Sequence, residues 1–273
     1  MISGKERRLR RVMGADARTL LVAVDHALTT GGAGGLSRMS TVLGAVVAGG
    51  ADGVVVHRGS AATSMPVQRD TAMIVHLSGN TRLSPGGELK TRVCDPETAL
   101  ALGADLVSVH VTFGGGHQED RAALADLGKV AASCDRLGLP LLVMTYVAGA
   151  GESPAERGAA VIHAGRAVAE LGADIVKVAH PGTEHLDELV ASIEVPVVLA
   201  GGEAESGWEE YVAAAKDAIG HGVAGLCVGR RVFGSPDPAA AVAELRAVVH
   251  GAAGVGMRSA GTEQVGTPAT HGG

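Results

Sequence analysis

LGADIVKVAH, residues 171–180, carries a helix end, a turn and a buried strand within ten residues. Gly172 is placed as a left-handed helix stop, and the run that follows is apolar and partly β-branched, as a strand requires. The same order recurs at GGADGVVVH (49–57), LGADLVSVH (102–110) and LGLPLLVMTY (137–146). Working outward, eight such runs mark the chain: 19–26, 52–59, 72–79, 104–111, 139–146, 173–180, 195–202 and 223–230. Ala-rich segments with helical spacing lie between most of them, at 39–50, 120–138, 156–172 and 208–222. Buried strands alternating with amphipathic helices imply a parallel sheet. Eight units in about 250 residues predict an α/β (β/α)8 TIM barrel. An open doubly wound sheet is the competing fold, but DHALTTGGAGGLS after the first strand lacks the GxGxxG spacing that usually announces it. The expected organisation is one domain: a basic N-terminal helix over 1–18, the barrel over 19–250 and a disordered, Gly/Thr/Ser-rich tail over 251–273. The polar stretch 78–97 reads as an extended active-site loop, with a short helix after Asp95-Pro96.

Composition agrees with this. Of 273 residues, 46% are hydrophobic but only 2% aromatic, and 41 are glycine, so the core must be Ala, Val, Leu and Ile packed closely against a sheet. A net charge of −6 argues against a polyanion binder, and no nucleic-acid partner is expected. The basic GKERRLRR (4–11) reads as a solvated helix face. Cys94, Cys134 and Cys227 have neither disulfide nor zinc spacing, and Cys227 sits in a core-like run. No signal peptide and no apolar span of membrane length is evident, so the expected location is the cytoplasm, with no membrane contact.

In such a barrel the chemistry sits at the C-terminal strand ends. They offer Asp25 and His26, His57 and Arg58, His76 and Ser78, His110 and Thr112, Thr145 and Tyr146, Lys177 and His180, Gly201, Gly202 and Glu203, then Gly229, Arg230 and Arg231. Of five lysines, only Lys177 stands inside a strand; Lys90, in the polar loop, is placed where it could touch a ligand. A lysine facing the helix layer is nearly intolerable, so alternation turns Lys177 inward, where neighbours are expected to lower its pKa and make the amine a nucleophile. The structural alternative is a buried Lys177–Asp25 ion pair. Tyr146, one strand away, would supply acid/base chemistry; otherwise it is a rim tyrosine. The glycines ending strands seven and eight, with Arg230, suit a phosphate, or are plain turns. Five histidines near the mouth could suggest a metal, but no spacing on one element supports it. Polar lining of a wet pocket is preferred, and no metal or cofactor is expected.

These residues resemble the class I, Schiff-base aldolases of the archaeal and bacterial fructose-bisphosphate aldolase type, a group that includes heptulosonate synthases of aminohydroxybenzoate-forming pathways. The likeness runs from GKERRLRR to about residue 245 and is carried by VAVDHALTTGGAGGL, LGADLVSVHVTFG, VMTY, ADIVKV, LAGG and CVGRRVF. It implies that Lys177 forms the imine, Tyr146 is the main acid/base and Asp25 assists. It places Gly201, Gly202, Gly229 and Arg230 on the phosphate, with His26 and Ser78 also facing substrate. Two positions depart from the family: Ala27 stands where it usually has Gly, and HPGTEH (180–185) follows the lysine. Both touch the pocket for the second substrate and point away from fructose bisphosphate. Cations at His57, Arg58, Arg82 and Arg92 suit an acceptor aldehyde with a carboxylate.

The reading is therefore an aldolase joining dihydroxyacetone phosphate, or a related phosphorylated donor, to L-aspartate 4-semialdehyde, giving a seven-carbon amino keto acid phosphate. Alternatives are fructose-bisphosphate aldolase, transaldolase-like or thiolase-like cleavage of a phosphorylated sugar, and a non-catalytic phosphosugar-binding barrel. A homo-oligomer is expected from the resemblance.

Overall fold

The computed structural model describes residues 3–32, 34–66, 70–83, 90–149, 151, 153–202 and 207–254. Its strands are β1 (Thr19–Ala23), β2 (Gly53–Val56), β3 (Ala72–His76), β4 (Ser78–Gly79), β5 (Thr91–Arg92), β6 (Leu106–Phe113), β7 (Leu141–Val147), β8 (Ile175–Val178), β9 (Val197–Ala200) and β10 (Gly225–Val228). Eight of them close a parallel barrel in the order β1, β2, β3, β6, β7, β8, β9, β10 and back to β1. The barrel read from the sequence is the barrel found, and each of the eight runs contributes one barrel strand.

The strands are apolar on both faces because both faces are covered. Leu21, Val55, Ile74, Leu106, Leu142 and Ile175 fill the lumen, while Val22, Val54, Val75, Val107, Val143 and Val176 pack under the helices. The repeated Gly-Ala-Asp has two tasks. Gly50, Gly103 and Gly172 take φ of 86°, 88° and 96°, which ends each helix without a β-carbon penalty. Two residues on, a carboxylate reaches sideways to a neighbouring strand. Asp52 accepts from the Leu20 N–H at 2.7 Å, Asp105 from Met73 at 3.0 Å and Asp174 from Leu141 at 2.8 Å.

The helix Gly4–Val12 seals the barrel floor. Val12 is fully buried in the lumen cluster, with Leu9 and Met13 against it, and Thr19 Oγ1 donates to the Val12 carbonyl at 2.8 Å. The solvated face expected of GKERRLRR is present at Glu6, Arg7 and Arg10, which are exposed, while other cations of the helix reach the barrel. Lys5 pairs with Asp174 at 3.0 Å, Arg11 with Asp105 at 3.0 Å, and Arg8 donates to the Gly138 carbonyl at 2.8 Å. The basic side chains answer the floor aspartates.

Within the polar stretch 78–97, β4 and β5 form a small antiparallel hairpin at the barrel's C-terminal end, Ser78 opposite Arg92 and Gly79 opposite Thr91. The helix Pro96–Ala101 follows, capped by Asp95. The last helix, Pro238–Gly254, breaks helical geometry at Gly251 (φ 70°), and residues 255–273 of the expected tail lie outside the described residues. Among the described residues no helix is long and apolar enough to cross a membrane.

Candidate active site

Alternation along β8 puts Ile175 and Lys177 inward, and Lys177 is only 6% exposed. Register pairs it with Met144 of β7, whose sulfur lies 3.9 Å from the amine. Among the described residues no carboxylate oxygen comes within ion-pair distance of Lys177, so the closed Lys177–Asp25 pair is not formed. Burial disfavours the ammonium. The anionic forms of Cys227 and Tyr146, together with Asp25, outweigh that and hold the amine above the ordinary lysine range. Burial pushes the Cys227 thiol up, so near neutral pH it is a thiol and Asp25 is the standing negative charge. The direction is opposite to the lowering expected from the sequence, although its largest contributor, the Cys227 thiolate, is not the form present near neutral pH.

Asp25 follows β1 and is buried. Around its carboxylate stand His26 Nδ1 at 3.5 Å, His76 Nε2 at 3.7 Å and Lys90 Nζ at 3.8 Å. Burial opposes its ionisation, but the cationic forms of His76, His26, Lys90 and Lys177 overcome this and hold it well below the usual carboxylate range. Burial also pushes His76 and His110 down to about 3 and lowers His26 and His57, so the imidazoles are neutral near pH 7. Among the described residues, Lys90 and Lys177 are then the ammonium groups near Asp25.

The imidazoles are held in place by neighbours on their own or the adjacent strand. His76 Nδ1 meets Ser108 Oγ at 2.8 Å, and its other nitrogen, 3.7 Å from Asp25, has no hydrogen-bond partner among the described residues. His110 Nε2 meets Thr112 Oγ1 at 2.8 Å, and its ring stacks on Tyr146, centroids 4.6 Å apart and 16° between planes. Tyr146 remains 37% exposed at the mouth. Ser78 is buried in the hairpin, and its hydroxyl oxygen accepts the His110 N–H at 3.0 Å.

Gly201 and Gly202 end β9, and Gly229 ends β10 beside them. A β-carbon on Gly229 would lie 2.8 Å from the Ala23 carbonyl and 2.9 Å from the His26 ring, so close packing demands glycine there. Arg230 opens the next helical turn and is exposed. Its neighbour Arg231, named only in passing from the sequence, donates to the Gly201 carbonyl at 2.7 Å and lies over the Tyr211 ring at 4.5 Å. Of the four cations expected to meet an acceptor, Arg58 and Arg82 are exposed, and Arg92 is exposed and paired to Asp126 at 2.6 Å. His57, neutral by burial, is the one at the mouth, its ring 5.5 Å from His76. Lys90 is the cation that sequence reasoning underrated: polar loop neighbours carry no periodicity, and only the hairpin register aims it. Among the described residues no group of three or more His, Cys, Asp or Glu could hold a metal ion.

The arrangement can do imine chemistry. A buried amine faces a lumen that also holds a carboxylate, a phenol at the rim and glycine-rich strand ends one and two strands away. Comparison with known proteins gives three findings. Residues 19–235 match the model of the DeoC/LacD family aldolases. The chain is 40% identical to 2-amino-3,7-dideoxy-D-threo-hept-6-ulosonate synthase of Halobacterium salinarum over 91% of this chain and 92% of that one, and 37% identical to 2-amino-4,5-dihydroxy-6-oxo-7-(phosphonooxy)heptanoate synthase of Streptomyces griseus over 89% of each. Among solved structures it superposes on an archaeal fructose 1,6-bisphosphate aldolase with a TM-score of 0.80 at 26% identity, over 90% of this chain and 98% of the other.

Proposed function

The chain belongs to the DeoC/LacD family of class I aldolases, and from that premise we propose that it makes a seven-carbon amino keto acid phosphate. Dihydroxyacetone phosphate, or a related phosphorylated ketose, is the donor, and L-aspartate 4-semialdehyde the acceptor. The names of the two relatives at 40% and 37% identity support the product class. The observation that carries the chemistry is the buried Lys177 amine inside the lumen, in a field that favours its positive charge.

That charge is useful. Condensation of an ammonium with a ketone gives a protonated imine and water, with no change in net charge. A pocket that stabilises the Lys177 ammonium therefore also stabilises the protonated imine, which is the electron sink. In this reading the donor phosphate rests on the backbone of Gly201, Gly202 and Gly229 with Arg230, and His26 and Ser78 line the substrate. Tyr146 carries the amine's proton to the carbinolamine oxygen, which leaves as water. Asp25 then takes the α-proton by way of Tyr146, whose hydroxyl passes on its own proton as it receives the new one; the enamine attacks the aldehyde carbon, and the proton returns through Tyr146 to the new alkoxide. Water hydrolyses the imine and returns Lys177.

Borohydride reduction with each candidate donor, followed by peptide mass spectrometry, tests this. The expected result is one donor mass fixed on Lys177, lost in Lys177→Met, with turnover on adding aspartate semialdehyde. Turnover with glyceraldehyde 3-phosphate alone would instead favour the fructose-bisphosphate reaction suggested by the solved relative.

A further inference from the structure

The β4–β5 hairpin is clamped to the barrel. The Val93 N–H donates to the Leu77 carbonyl at 2.8 Å, Ser78 takes the His110 N–H, and Arg92 is tied to Asp126 of the helix His117–Leu137. Lys90 immediately precedes β5. Its side chain is only 19% exposed, and its ammonium stops 3.8 Å from the Asp25 carboxylate, close enough for attraction but beyond a direct hydrogen bond. A cleft of about 590 Å³ opens beside it, lined by Ser78, Lys90, Thr91, His110 and Thr112 on the barrel side. Its other wall is Val109, Val111 and the helix His117–Leu137, and His110, which also lines it, stacks on Tyr146 at the mouth.

Charge then decides what fits. Lys177 is cationic both at rest and as the protonated imine, and Asp25 offsets one positive charge. The imidazoles between them are neutral. Arg92 already has the carboxylate of Asp126, and the outer helix adds to the cleft an exposed Lys129 and an exposed Glu119, whose charges offset one another. Among the described residues, one largely buried positive charge, that of Lys90, is then in surplus. Resting on the aldolase reading above, we propose that Lys90 is the specificity-determining residue for the acceptor: its ammonium binds the carboxylate of the incoming aldehyde by a charge-assisted hydrogen bond and selects anionic over neutral acceptors.

The test uses two aldehydes that differ only in charge, 4-oxobutanoate and 4-oxobutanamide. The unmodified enzyme should favour the carboxylate about tenfold or more in kcat/KM. Lys90→Met should erase that ratio by raising KM for the carboxylate alone, Lys90→Arg should keep it, and Lys129→Met should not change it. An equal loss on both acceptors in Lys90→Met would overturn the assignment and give Lys90 a part in the chemistry. Absence of preference in the unmodified enzyme would overturn it with no variant at all. Borohydride trapping of the donor on Lys177 is run in parallel. No adduct in the unmodified enzyme sinks the aldolase reading and this inference with it; an adduct without charge selection sinks the inference only.

Discussion

At the scale of single residues, the site turns on where protons rest. Because Lys177 is held as an ammonium, imine formation needs a group that takes its proton and delivers it to the leaving hydroxyl. Tyr146 is the candidate. Tyr146→Phe keeps the ring stacked on His110 but removes the shuttle, so kcat should fall about 10²- to 10⁴-fold with little change in stability. Single-turnover kinetics with donor alone should show slow imine formation; unchanged kinetics would assign the proton transfer to another group. The orientation of Lys177 was legible in the sequence, because a period of two leaves only one tolerable face. Its charge state was not. That depends on Asp25, Tyr146 and Cys227, which come from three other strands or strand ends. Lys90 was illegible for a related reason: a loop lysine has no pattern, and only the Gly79–Thr91 register aims it at Asp25.

At the scale of elements, the barrel strands were the most legible part, since burial on both faces writes an unbroken apolar run. The N-terminal helix was legible as a helix but not as a plug. Its charges hid a narrow apolar edge at Leu9, Val12 and Met13, whose partners lie in the lumen. Magnitudes rank the two contributions. Burying a valine side chain is worth roughly 1.5–3 kcal/mol, whereas half-exposed ion pairs are worth about 0–1 kcal/mol. Val12→Ala should therefore cost about 1–2 kcal/mol, and Arg11→Ala under about 1 kcal/mol. Urea midpoints decide it; a larger loss from Arg11→Ala would mean that charge, not packing, seats the helix. The kcat of folded Val12→Ala should be unchanged, because the helix lies at the opposite end from Lys177.

At the scale of the whole molecule, the segment before β1 and the helix Pro238–Gly254 are clasped together at the barrel floor. His250, on the last helix, meets Asp16 at 2.8 Å through Nδ1 and Asp52 at 2.7 Å through Nε2, while Arg246 Nη1 meets Asp52 at 3.0 Å. Asp52 also holds the start of β1 through Leu20, so the clasp joins the segment before β1, the start of β2 and the C-terminal helix. Glycine-alanine-aspartate was readable as a stop before a strand, but not as a floor of carboxylates, since each acceptor serves a different strand. The clasp predicts a pH signature. Burial lowers the His250 pKa, but hydrogen bonds to Asp52 and Asp16 raise it more, leaving it above the ordinary imidazole value. Burial raises Asp16 and Asp52, but the His250 contact, a backbone N–H on each and, for Asp52, Arg246 bring both below theirs. A raised histidine contributes fully below its unfolded pKa of about 6.5 and loses that contribution as pH climbs through the folded value. Lowered aspartates contribute fully above about 3.9 and lose it as pH falls through their folded values. The window of full strength is therefore about pH 4 to 6.5, with decline on both sides. His250→Gln should cost about 1–3 kcal/mol inside that window and progressively less on the alkaline side. Denaturant melts of both proteins at pH 6 and pH 9 measure the difference directly. A cost independent of pH would mean that His250 holds the C-terminal helix by shape and not by charge.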